Sequence, residues 1–240
     1  MTVVRDRDVN LTELMVYFIL TVTSSLIYVF FVGTLAEPGI GIEGALVWYQ
    51  EKALMILWTP TLFALVLMVI FRGRTSLCKL LARVTDWNVG YKWWCVALIL
   101  PAAVHVTAAL ITLGDDVEVI RILDDWWRTF LGSFFFLFLI VVGEELGWRG
   151  YALPALQAHV SPSFAAAIVG VFWSTWHIGI WYGLFLGISG SVLQALFFLI
   201  AGTVYILGLS AVLTWIANET RASVAIAMEH HAANNASIRI

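Results

Sequence analysis

The chain has 240 residues, of which 61% are apolar and only 12% charged, and its mean hydropathy is +0.92. A charged share about half that of a soluble domain excludes a water-soluble globular fold and marks an integral membrane protein. The formal charge of −3, without a long basic run, argues against a nucleic-acid partner and leaves membrane lipid as the surrounding phase.

A spanning helix needs about 20 mostly apolar residues. Seven stretches meet or approach that length: 11–33, 53–71, 93–112, 129–158, 163–186, 192–217 and 221–240. The expected fold is therefore an all-α polytopic transmembrane helix bundle of about seven membrane helices, within a range of six to eight. No repeat, low-complexity tract or linker divides it, so residues 1–240 read as a single domain.

The first stretch follows Arg5, Asp6, Arg7 and Asp8 without a small-residue cleavage site, which predicts a retained first helix. Between the second and third lie Arg72, Arg74, Lys79, Arg83 and Lys92. The 34–52 connection holds only Lys52, and the 113–128 connection only Arg121 and Arg128 among Asp115, Asp116, Glu118, Asp124 and Asp125. The 72–92 side is thus expected to be cytoplasmic, with the N-terminus inside. Cys78, in the basic connection, and Cys95, in an apolar stretch, are too few and too differently placed for a disulfide framework and are expected to be free. Trp93, Trp94, Trp126 and Trp127 stand at predicted helix ends, where amphipathic rings favour the interface. His105 reads as a hydrogen-bonded core residue and His159 as an interfacial one.

The fourth stretch carries the anomaly. Phe130–Val142 is fit only for lipid, yet it leads directly into Glu144, Glu145 and Arg149. One ionisable side chain at mid-bilayer costs roughly 2.5–3.5 kcal/mol or more, so three within six residues imply a buried functional centre. The stretch is predicted to be one long, tilted helix, kinked at Pro154 and ending in a turn at Ser161-Pro162. On it Glu145 and Arg149 are four apart and share a face, while Glu144 points about 100° away. Gly143-x3-Gly147 and Gly183-x3-Gly187 are candidate points of close helix approach.

Counting from a turn near residue 160, Glu144 lies 16 residues back and His177 lies 17 forward. An antiparallel hairpin rising about 1.5 Å per residue sets them at nearly equal depth. The last stretch adds Glu229, His230, His231, Asn234 and Asn235, in which His231/Asn235 and His230/Asn234 are alternative pairs spaced by four. A desolvated carboxylate is a competent base near neutral pH, an imidazole can orient a water or pass a proton, and an amide can donate to an oxyanion. That set suits hydrolysis of a peptide bond.

These residues resemble the motifs of the type II CAAX prenyl endopeptidases and their prokaryotic relatives, the CPBP or "Abi" intramembrane proteases. That family carries E-E-x-x-x-R, F-x-x-x-H and H-x-x-x-N/D on successive helices. Here the counterparts are Glu144-Glu145-x3-Arg149, Trp173-x3-His177 and His231-x3-Asn235, and the wording around Glu144 is similar to the common prokaryotic subtype. The resemblance covers about residues 125–240 and implies that Glu144 and His177 activate water, that His231 and Asn235 hold the oxyanion, and that Glu145 and Arg149 shape the site. It also implies metal-free catalysis, a peptide or lipidated-protein substrate and a prokaryotic cell membrane. Trp173 stands where the family has phenylalanine, a change expected to affect packing rather than chemistry.

Three rival readings stay open at this point. Zinc could be held by Glu144, His177 and His231, although no His-Glu-x-x-His is present. A proton-coupled transporter also buries Glu, Arg and His, but spreads its acids over several helices. A non-catalytic immunity or scaffold protein could retain the same fold.

Overall fold

The computed structural model describes residues 10–31, 39–44, 47, 56–113 and 117–237. Eight α-helices account for most of them: α1 (Leu11–Phe31), α2 (Thr59–Ala82), α3 (Tyr91–Leu113), α4 (Val117–Glu145), α5 (Leu153–Gln157), α6 (Pro162–Ser189), α7 (Val192–Glu219) and α8 (Val224–Ser237). A π-helical segment, Leu146–Ala152, joins α4 to α5. Among the described residues, six helical stretches are long and apolar enough to cross a membrane, giving an all-α polytopic bundle. Arg5, Asp6, Arg7, Asp8, Lys52, Asp115 and Asp116 lie outside the described residues.

The seventh expected span is the 14-residue α8. At about 1.5 Å per residue it is too short to cross a bilayer of about 30 Å. It tolerates its glutamate, histidines and asparagines because it is enclosed by protein, packed on α3 and α4 and also touching α7. Its depth is fixed by the turn before it, where Arg221 and Ala222 adopt left-handed φ of 57° and 60°. Ser223 Oγ donates to the Asp86 carbonyl at 2.6 Å and the Val224 N–H to the Arg83 carbonyl at 2.9 Å.

The 72–92 connection is more ordered than a loop. Gly73, at φ 74°, breaks α2, and a helical turn resumes to Ala82, with Leu80 buried beneath it. A side chain at that φ would be strained, so glycine permits the break. Likewise, the backbone of the 113–128 stretch is helical from Val117 onward, which places Glu118, Asp124 and Asp125 on α4. Trp93 departs from the expected interfacial belt: it is buried with Ala97, Ile216 and Ile226, its ring 5.1 Å from that of Trp215. Trp127 is exposed, as a belt residue should be, and Cys78 and Cys95 are free and exposed.

Gly143 and Gly147 bring α4 and the π-segment against α2. A Cβ at Gly143 would lie 2.6 Å from the Leu57 carbonyl oxygen, and one at Gly147 would lie 2.6 Å from that of Pro60. Any side chain there would push the helices apart. Ser161 caps α6 by accepting from the Phe164 N–H at 3.3 Å, with Pro162 in the first turn, so the α5–α6 hairpin turns where expected.

Candidate active site

The expected single α-helix instead changes pitch as it enters the site. Gly147 and Gly150 weaken helix propensity, and Pro154 has no N–H to offer the carbonyls one turn back. The backbone responds with a π-segment in which the Leu153 N–H bonds the Trp148 carbonyl, five residues back. The Gly150 carbonyl, which an α-helical residue 154 would have bonded, accepts from Arg83 Nη1 at 2.7 Å. Such π-turns recur at functional sites because they re-aim the side chains that follow. Every residue from Leu146 to Gln157 is buried.

Glu145 is saturated on one oxygen. Its Oε1 accepts from Arg149 Nη1 at 2.8 Å, as the four-residue spacing predicts, and pairs with His231 Nδ1, also at 2.8 Å. The second contact ties α8 to the end of α4. With Nδ1 committed to a carboxylate, His231 can donate through Nε2 only as an imidazolium.

Glu144 is held differently. It is 3% exposed, and its Oε2 accepts from the Trp173 indole N–H at 2.7 Å. Its Oε1 takes no protein hydrogen bond among the described residues. Glu145, Arg149 and His231 all lie within electrostatic reach of this carboxylate.

His177, one turn beyond Trp173 on α6, points Nδ1 at the Trp173 carbonyl oxygen at 3.0 Å. A carbonyl can only accept, so Nδ1 carries the proton and Nε2 of the neutral ring is an acceptor. The ring is clamped between Trp176 and Trp181, each 4.5 Å away between centroids. Glu144 and His177 are thus joined through one residue, Trp173, from its side chain to the first and from its backbone to the second.

Trp173 is therefore more than packing. The indole N–H supplies a hydrogen bond that phenylalanine cannot, Arg149 lies 4.2 Å above its ring centroid, and the His231 ring meets it edge-on at 5.1 Å. A sequence signal existed. A buried indole N–H usually finds a partner, and residue 173 is 13 residues past the turn, close in depth to Glu144.

The two asparagines of α8 separate clearly. Asn234 Oδ1 accepts from Tyr205 of α7 at 2.6 Å and is 3.2 Å from His105 Nε2 of α3. Its Nδ2 is directed at Asn235 Oδ1 at 3.4 Å. Holding the Asn235 oxygen in this way leaves both protons of the Asn235 amide for another acceptor. His230 is buried and within electrostatic reach of His231 and Arg149, but none of its hydrogen bonds goes to Glu145. His105 is hydrogen-bonded, as expected, and Tyr205 is a participant the sequence reading did not name. Among the described residues no group of three or more His, Cys, Asp or Glu side chains is arranged to hold a metal ion.

This arrangement lies inside the part of the chain that is similar to known proteins. Residues 126–237 match the family described as Type II CAAX prenyl endopeptidase Rce1-like. The chain is also 30% identical over 155 residues to CAAX prenyl protease 2 of Methanococcus maripaludis, an alignment covering 57% of this chain. The chain spans about half the length of that curated relative, 51%. The matched residues 126–237 hold all six of the predicted site residues, so it is the site-bearing part of the chain that is similar to the Rce1-like type II CAAX prenyl endopeptidases.

Proposed function

We propose that the protein is an intramembrane endopeptidase that hydrolyses a peptide bond with water activated by Glu144 and His177. Both groups present acceptors, Glu144 Oε1 and His177 Nε2, and one water has two protons to give. A water held by both would be oriented with its lone pairs toward the scissile carbonyl. Asn235, whose amide oxygen is occupied by Asn234, donates to the developing oxyanion, joined by His231 in its imidazolium form. Glu145 and Arg149 hold His231 and the adjoining helix ends in place. The observation that carries this reading is the asymmetry of the glutamate pair. Glu145 is bonded to two side chains that can carry positive charge, while Glu144 is held by one neutral donor and keeps an oxygen free.

The substrate class we propose is a membrane-bound peptide or lipidated protein, and a prenylated CAAX C-terminus is the first to try, given the name of the relative. No metal takes part in this scheme. Arg74, Lys79 and Lys92 remain exposed on the 72–92 side, whereas Arg72 and Arg83 are engaged in the interior. The remaining exposed charges support a cytoplasmic location for this side and for the N-terminus in a prokaryotic cell membrane.

The test is cleavage by purified protein of a prenylated CAAX peptide and of unmodified membrane peptides, wild type against Glu144→Gln, with and without a chelator. Cleavage that needs Glu144 and survives chelation is the expected result. No cleavage of any peptide, or loss of activity on chelation with recovery on adding zinc, would overturn the reading.

A further inference from the structure

We infer that Trp173 is a positioning residue for the reaction, its indole N–H orienting the Glu144 carboxylate so that Oε1 alone faces the water. This inference rests on the proposed role of Glu144 and adds a residue to it. A carboxylate on a flexible side chain can rotate and offer either oxygen, and an unoriented base loses the near-attack geometry on which rate depends. The Trp173 N–H removes that freedom. At 2.7 Å it is a short bond to a 3% exposed carboxylate, and Trp173 itself is fully buried at 0%.

The ring is fixed in turn. The Arg149 guanidinium lies 4.2 Å from its centroid and the His231 ring contacts it at 5.1 Å, both drawn in by Glu145 Oε1. The same residue's carbonyl holds His177 Nδ1 at 3.0 Å. Trp173 thereby sets the base and its imidazole partner relative to one another, although they come from different helices. A phenylalanine at this position would keep the ring for Arg149 and the carbonyl for His177. It would lose the hydrogen bond to Glu144 together with the volume of the second ring, whereas a bicyclic isostere without the N–H would lose the hydrogen bond alone. The two contributions of the residue, shape and donor, are therefore separable by substitution.

A hydrogen bond to a charged group contributes about 1.5–3 kcal/mol, corresponding to roughly 10–150-fold in rate if it is needed in the transition state. Trp173→Phe is expected to lower kcat by about 10–100-fold with KM changed less than about threefold. Replacing Trp173 by benzothienylalanine, which keeps the bicyclic outline but has sulfur in place of N–H, should lower kcat to the same extent. A benzothienylalanine enzyme at wild-type kcat would overturn the inference whatever Trp173→Phe does, because shape alone would then suffice. An equal rise in KM with kcat unchanged in both variants would also overturn it.

A second measurement does not need activity. With indole-15N tryptophan, the Nε1–H resonance that disappears in Trp173→Phe identifies the bond, and Glu144→Gln should shift it by removing the charged acceptor. An unmoved resonance would contradict the contact itself. If wild type cleaves nothing, the proposed function fails while this resonance still tests the positioning bond. If wild type cleaves and Glu144→Gln does not, the function stands and the two Trp173 variants decide the inference alone.

Discussion

Among the described residues, two buried glutamate–arginine clusters are wired in opposite ways. In one, Glu13 of α1 meets Arg72 of α2 at 2.9 Å through Nε and 3.1 Å through Nη2, and also accepts from Tyr151 at 2.8 Å. Both side chains are shielded, at 3% and 5% exposure, and the guanidinium fork is fully matched to the carboxylate. In the other, Arg149 gives Glu145 a single Nη1 contact, while its Nε and Nη2 and the second oxygen of Glu145 have no hydrogen-bond partner among the described residues. The first arrangement satisfies a buried ion pair and staples three segments together; the second leaves polar atoms unmatched beside a carboxylate with an open oxygen. A cluster built only to hold helices would be expected to look like the first. Incomplete pairing of this kind is what the proposed function calls for, since a water and a substrate would supply further polar partners.

Substitutions can break or sharpen that contrast. The largest effect is expected at Glu144: Glu144→Gln should cut cleavage by about 10²–10⁴-fold, the usual span for a positioned proton acceptor, with little change in thermal unfolding. Glu13→Ala should do the reverse. Removing one partner of a buried pair costs about 3–5 kcal/mol, so the protein should unfold at markedly lower temperature while its folded fraction keeps near-normal kcat. Denaturation followed by tryptophan fluorescence, alongside kcat per folded molecule, reads both.

Asn235→Ala should reduce kcat by about 10²–10³-fold as the loss of an oxyanion donor. Asn234→Ala, which removes the group that orients Asn235 and the acceptor for Tyr205 but not the oxyanion donor itself, should cost less in kcat. If Asn234→Ala is the more damaging, the pair is His230/Asn234 and the assignment is off by one. The smallest effect belongs to Arg83→Met, which strips the Gly150 carbonyl of its partner at a cost of about 1–3 kcal/mol. It should lower stability modestly and, by loosening the π-segment, raise hydrogen exchange around residues 146–153 more than elsewhere.

Much of this was legible in the sequence because it rests on short-range periodicity. Hydropathy marks the spans, the four-residue spacing pairs Glu145 with Arg149, and counting along the hairpin brings the Glu144 and His177 helices to one level. What stayed hidden depends on side chains from segments far apart in the chain. Arg72 reads as a free loop charge until α1 delivers Glu13, 59 residues away, and Asn234 shows its role only when Tyr205 and His105 arrive from two other helices. The π-segment was missed because apolar periodicity does not distinguish a π-turn from an α-turn. Pro154 gave the cue for a kink, but the kink is relieved by pitch change and by Arg83.

The most direct measurement is the initial cleavage rate of one prenylated CAAX peptide by wild type, Glu144→Gln and Glu13→Gln, each corrected for the folded fraction. The asymmetry between the two glutamates predicts that Glu13→Gln cleaves at close to the wild-type rate while folded Glu144→Gln cleaves at least about 10²-fold more slowly. Wild-type cleavage by folded Glu144→Gln would contradict it.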